Sequence, residues 1–252
     1  MTMETNLPRA ILFASGKGGS GKSTLCAGVA SALAGMGKKV IALDADFGMR
    51  NLDIYMGLCE YALFDLGDYI EGRTDLEGIL TAHPEIPGLS LIAAPARPME
   101  LEAGKMREIA EELLGKCDFL LVDAPAGVGA SLSTAAAACG EAIVVATPDL
   151  AAVSDAGAAA AKLRTMGIKD VRLAANRVRS RVISRGLGVN LDRMIDRIAV
   201  PMIGYVREDN AMPRFAQNVA AMMIEKRRPV SSKDMYDIAR RLLGERVRLS
   251  LG

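Results

Sequence analysis

Residues 13–24 read FASGKGGSGKST. Gly16, Gly21, Lys22 and Ser23 satisfy the spacing G-x-x-x-x-G-K-[ST], with an aliphatic run before it and a helix-forming run after it, the setting of a phosphate-binding loop. Glycines let backbone N–H groups turn inward around phosphate oxygens, and the N-terminus of the following helix adds partial positive charge. Residues 16–24 (Gly16, Lys17, Gly18, Gly19, Ser20, Gly21, Lys22, Ser23 and Thr24) are therefore the candidate nucleotide-binding loop. Lys22 is expected to reach the β- and γ-phosphates and Ser23 to place its hydroxyl on Mg2+. Lys17 is harder to explain. At the start of the loop its side chain is expected to point away from phosphates held by its own backbone.

Working outward, AILFAS, KVIALDA, LSLIAAP, DFLLVDA, AIVVATP, VRLAAN and MIGYV are short, nearly continuous apolar runs. Such runs fit strands covered by helices on both faces. Helical stretches such as ELEAGKMREIAEELLG and SDAGAAAAKLRTMG lie between them. The alternation predicts an α/β fold with a doubly wound, mainly parallel sheet. No repeat, linker or low-complexity segment divides the chain, so residues 1–252 are expected to form one domain. In such sheets ligands sit beyond the carboxyl ends of the strands, and carboxylates recur there. Asp44 and Asp46 are two apart, which on an extended chain places them on one face. Asp123 follows four apolar residues, the usual placement of a carboxylate near Mg2+. Asn176 and Arg177 follow another predicted strand, and an asparagine amide can match an adenine edge.

Composition narrows the rest. The 252 residues carry a net charge of +1, which gives no global reason to bind nucleic acid. Cys26, Cys59, Cys117 and Cys139 form no C-x-x-C, so a zinc or redox site is not expected and packing roles are. His83 is the one histidine, and no role follows from the sequence. No signal peptide or membrane-spanning run is evident, so a cytoplasmic protein is expected.

GKGGSGKST resembles the deviant phosphate loop K-G-G-x-G-K-[ST] of the MinD/ParA family of ATPases. DADFGMRNLDIYMG resembles the first switch of the MinD branch, and DAPAG its second, with Gly129 where an acidic residue is common. The resemblance runs from Ala10 to about Leu243 and implies a P-loop NTPase of the SIMIBI class that hydrolyses ATP with Mg2+. It implies catalytic roles for Lys17, Lys22 and Asp46, with Lys17 crossing to phosphates held by a second copy and Asp46 positioning the attacking water. It further implies magnesium roles for Ser23, Asp44 (through bound water) and Asp123, base contacts from Asn176 and Arg177, and a γ-phosphate-sensing segment at Arg50 and Asn51. Val206 and Arg207 stand where proline and glutamate are more usual, and Ser154 replaces a common arginine beside Asp155 in the partner-recognising segment.

By the same likeness the protein is expected to be a homodimer when ATP is bound, with a regulatory protein that stimulates hydrolysis, and to serve division-site placement. Related proteins lie peripherally on the inner face of the membrane through a C-terminal amphipathic helix. Only ERVRLSLG follows Gly244 here, so a membrane platform is less strongly indicated. Basic stretches at NRVRSRVISRG and EKRRPV leave a partition-type DNA-binding ATPase, or a regulator of other polar machinery, as alternatives.

Overall fold

The computed structural model describes residues 7–97, 99–179 and 189–249. Among them, eight strands form one sheet: β1 Arg9–Ala14, β2 Val40–Asp44, β3 Thr81–Ala82, β4 Leu89–Ile92, β5 Phe119–Asp123, β6 Glu141–Ala146, β7 Asp170–Val178 and β8 Met202–Arg207. Their order is β3-β4-β2-β5-β1-β6-β7-β8. Every neighbouring pair is parallel except β3 with β4. The seven apolar runs each supply a strand. β3 is an addition that two residues, too few for any periodic pattern, could not announce.

The helices are α1 Lys22–Gly35, α2 Leu52–Tyr55, α3 Leu66–Ile70, α4 Ala103–Leu114, α5 Ala130–Ala136, α6 Leu150–Thr165, α7 Leu191–Ile198, α8 Val219–Ile224 and α9 Val230–Leu242, with a 3-10 turn at Met212–Phe215. Each central strand feeds two cores. Leu12 and Val122 pack on one face with Met106, Leu132 and Val153, while Phe13 and Leu121 pack on the other with Leu25, Met223 and Ile238. Burial on both faces is the reason the strands read as unbroken apolar runs.

α1 and α9 pack side by side on one face of the sheet, α9 directly against β8, and small residues of α1 set their spacing. A Cβ at Gly28 would come within 2.2 Å of Met235 Sδ, and one at Gly35 within 2.9 Å of the Tyr236 hydroxyl. The apolar stripe Met235, Ile238 and Leu242 on α9 is thus internal packing. Arg241 reaches past it to the carbonyls of Ile203, Val247 and Arg248, holding the tail against β8. Cys26 and Cys117 are packing residues, as expected, but Cys59 is exposed.

β1 sits between β5 and β6 at the middle of the sheet. The chain builds β2 to β5 on one side of β1 and then β6, β7 and β8 on the other, so the loop after β1 opens where the winding reverses.

Candidate nucleotide-binding site

The phosphate loop occupies residues 15–21, directly after β1, and delivers the chain into α1. Gly21, the N-cap, has φ 87°, and a Cβ there would lie 2.1 Å from Asn176 Nδ2. Glycine is required there on both counts. Gly16 is needed for a different reason, because its Cβ would lie 2.2 Å from the backbone of Asp155 in α6. No side chain caps α1, which leaves its first N–H groups for an anion. Ser20 Oγ is buried without a hydrogen-bond partner. An uncapped helix end and an orphaned hydroxyl fit a phosphate chain at this loop.

The charges converge from three adjacent strands. Asp44 and Asp123 are register partners at the ends of β2 and β5, and Phe13 of β1 pairs with Asp123 on the other side. Lys22 Nζ, almost completely buried, donates to Asp123 Oδ1 at 2.7 Å and lies 3.3 Å from Ser23 Oγ. Asp44 Oδ1 accepts from Asp46 N (2.9 Å), and its Oδ2 accepts from Asn51 N (3.1 Å) and Leu52 N (3.0 Å). Burial, then repulsion from Asp123, raises the Asp44 carboxyl to about 7. Burial likewise raises Asp123, opposed chiefly by Lys22. Two buried carboxylates facing one ammonium hold an excess of negative charge, which a divalent cation would relieve. Among the described residues no three acidic, histidine or cysteine side chains form a metal cage. Mg2+ beside phosphates does not require one, because it retains waters and takes one or two carboxylates. Ser23 and Asp123 both lie beside Lys22 Nζ, and Asp44 is the register partner of Asp123, so these three are the candidates for such a site.

Asp46 departs from the sequence reading. β2 ends at Asp44, so alternation along a strand does not put the two carboxylates on one face. Asp46 instead begins a turn, its carbonyl accepting from Met49 N and Arg50 N at 3.1 Å each. It shares a hollow with Pro125 of the segment after β5, so both strand-end segments face each other there.

Asn176 and Arg177 also differ from expectation, lying within β7 rather than after it. Between the pairs Ala175–Tyr205 and Val178–Arg207 the strand carries one extra residue, and Arg177 adopts φ 55°. This bulge re-aims the side chains. Asn176 Nδ2 donates to Ser20 O at 2.8 Å, and its Oδ1 accepts from Arg177 N at 2.9 Å. One amide N–H and one lone pair remain for a ligand. The pair lines a cleft of about 480 Å³ with Gly21, Thr24, Asn210 and Pro213, a size suited to a nucleobase. Arg207 lines it too, but its guanidinium is bound to the buried Asp234 of α9.

Lys17 stands at the rim. Its Nζ is 3.5 Å from Asp149 Oδ1, and both side chains are about half exposed. Gly18 and Gly19 are exposed beside it. Asp149 was not singled out by the sequence, although an aspartate just before a helical run is an N-cap signal. Tyr55, the last residue of α2, was also missed and lines the base-sized cleft; no local pattern marks it. Of the basic stretch after β7, residues 180–188 lie outside the described residues, and Arg179 is paired with Glu208.

Comparison with known proteins agrees with this geometry. Residues 11–219 match the family described as the CobQ/CobB/MinD/ParA nucleotide binding domain. The chain belongs to the CobQ/CobB/MinD/ParA family. One relative within it, the septum site-determining protein MinD of Synechocystis sp., is 34% identical over 239 residues, 94% of this chain and 90% of that protein. The structure titled MinC:MinD cell division protein complex from Aquifex aeolicus superposes with a TM-score of 0.88 at 31% identity, covering 96% of this chain and 98% of that one. Pyrococcus horikoshii MinD, complexed with Mg-ADP, superposes with a TM-score of 0.82 at 25% identity, covering 93% and 96%. As a CobQ/CobB/MinD/ParA member the chain has the P-loop NTPase fold and is a nucleotide-binding protein of an ATPase family.

Proposed function

We propose that this protein is a Mg2+-dependent ATPase that acts as an ATP-driven dimerisation switch in division-site placement. The observation that carries the reaction is the buried group Lys22–Asp123–Asp44 at the mouth of an uncapped P-loop helix. The biological role rests on the likeness to septum site-determining proteins over nearly the whole chain. The unbroken sheet, which gathers strands from Arg9 to Arg207, supports treating residues 1–252 as one domain.

In this reading the loop amides cradle ATP, and Lys22 leaves Asp123 to contact its β- and γ-phosphates. When bound, Mg2+ supplies neutralisation of the phosphate oxygens. Ser23 and Asp123 would hold it, and Asp44 would act on it through water. Asp46 orients the attacking water rather than serving as a strong base, because a loose phosphoryl-transfer transition state needs little proton abstraction. Asn176 and Arg177 contact the base.

Lys17 supplies the last cation, to the other copy of the chain. Its surroundings support this. Met49, Val128 and Leu150 are exposed apolar residues on three other strand-end segments of the same sheet edge, a rim suited to a partner surface. The exposed ion pair with Asp149 is worth only about 0–1 kcal/mol, so a triphosphate can displace it. A regulatory protein partner is expected, in line with the Aquifex structure in which MinD is complexed with MinC, and on this reading a partner accelerates hydrolysis. The protein is read as cytoplasmic and peripheral to the membrane; among the described residues no helix is long and apolar enough to cross one. The DNA alternative gains nothing from Arg179, which Glu208 neutralises.

Light scattering of Asp46→Ala tests the switch. The mass should double with ATP and not with ADP. A monomer at saturating ATP would rule the switch out. Co-purification from cells expressing the same variant should recover the regulatory protein.

A further inference from the structure

The turn that carries Asp46 ends at Arg50, whose φ of 39° is unusual for a residue with a side chain. Such a backbone persists only where its surroundings hold it. Here two carboxylates do so. Arg50 Nε donates to Asp53 Oδ2 at 2.9 Å and Nη1 to Asp65 Oδ2 at 3.3 Å, and both carboxylates are largely buried. Asp53 is a near neighbour in sequence. Asp65 comes from a separate segment, where it caps α3.

The two oxygens of Asp65 have different partners. Oδ1 accepts from Gly67 N (2.8 Å) and Asp68 N (3.2 Å), which is the helix cap. Oδ2 accepts from Ala96 N at 2.8 Å and from Arg50. The cap needs only the first oxygen. The second ties the turn after β2 to the segment after β4. Just beyond Arg50, the N–H groups of Asn51 and Leu52 bind Asp44 Oδ2, so the placement of Arg50 decides whether they reach it.

We infer that Asp65 is a positioning residue for the nucleotide switch. Through Arg50 it holds residues 46–51 in the conformation that presents Asp46 and aims the Asn51 and Leu52 N–H groups at Asp44. The inference rests on the ATPase reading for its catalytic consequence, but the positioning itself is testable without nucleotide.

Asp65→Asn separates the two roles, because its one carbonyl oxygen can keep the cap while its amide turns donors toward Arg50 and Ala96 N. Arg50→Lys is the second variant, since a point charge cannot bridge two carboxylates as a guanidinium does. In hydrogen exchange without nucleotide, amides 49–52 should exchange about tenfold faster in either variant, with α1 and Gly67 unchanged. With ATP, kcat should fall about tenfold while KM stays within about twofold. The double variant should be no worse than either single one, as for two members of one linkage. Unchanged exchange at 49–52, a uniform rise that includes α1, or additive losses would each overturn the inference. Absence of turnover in the unmodified protein would refute the ATPase reading, while the exchange measurement would still decide the positioning.

Discussion

Lys17 Nζ lies 3.5 Å from Asp149 Oδ1 within the same chain, and that carboxylate is also the N-cap of α6, accepting from Ala152 N at 2.9 Å. The Thr147 hydroxyl, 2.6 Å away, is the main cause that holds Asp149 below the usual carboxylate range, so the group stays charged. Lys17 therefore has a resting place on its own subunit that neither binds nucleotide nor buries charge. If its working place is the triphosphate of another copy, Lys17→Ala should leave nucleotide affinity within about threefold, while ATP turnover falls about a thousandfold and the ATP dimer is lost. Titration with a fluorescent ATP analogue, phosphate release and light scattering measure the three quantities. Wild-type turnover in this variant would remove the proposed role.

Asp123 has the opposite burden, because its partner is buried. Asp123→Ala takes the hydrogen-bonded partner from the Lys22 ammonium, which is only 6% exposed, leaving Asp44 as the other buried carboxylate that faces it, and should destabilise the nucleotide-free protein by about 1–3 kcal/mol. In a chain of this size each kcal/mol lowers the melting midpoint by about 2–4 °C. Asp123→Asn, which keeps an acceptor, should lose less. Equal melting of Asp123→Ala and wild type would mean that the pair does not set the energy of Lys22.

The loop glycines should sort by geometry. Gly18 has no atom within 4 Å of a would-be Cβ, whereas Gly16 and Gly21 have atoms at 2.2 and 2.1 Å. Gly18→Ala should fold and melt normally. Gly16→Ala and Gly21→Ala should each lose about 1–3 kcal/mol and bind ATP weakly, the first by shifting α6 and the second by displacing Asn176. Calorimetry of the three variants checks the order; comparable behaviour of all three would contradict it.

His83 should give the protein a pH-dependent stability between neutral and mildly acidic conditions. It is buried, and its Nδ1 accepts from Glu85 N and Ile86 N at 3.1 Å each, closing the turn between β3 and β4. Burial lowers its pKa from the usual imidazole value of 6.5. The unfolded chain thus takes up the proton first as pH falls. The contribution is complete above about pH 6.5 and declines below it toward the lower folded-state value. His83→Asn, which keeps an acceptor without a titration, should flatten that part of the melting profile. A wild-type slope retained in the variant would assign the dependence to other groups.

How much of this could be read from the chain depends on how local the determinant is. The strands were legible because burial on both faces writes continuous apolar runs, and the phosphate loop because its glycines and Lys22 fall within a dozen residues. Asp44 and Asp123 were visible as acidic residues at the ends of such runs. Strand alternation does not account for the position of Asp46, since β2 stops at Asp44 and a turn places it. The bulge that turns Asn176 toward Ser20 O left no mark, because it arises from pairing with β8.

The sequence alone thus determined the sheet, the loop and the acidic strand ends, since propensity, pattern and phosphate chemistry act over short stretches of chain. Tertiary structure alone decided that Lys17 rests on Asp149, that Tyr55 borders the cleft with Asn176, and that Arg50 is held by Asp65. Those relationships join segments far apart along the chain. Their energies depend on distance and burial in the folded state, which no local pattern of residues encodes.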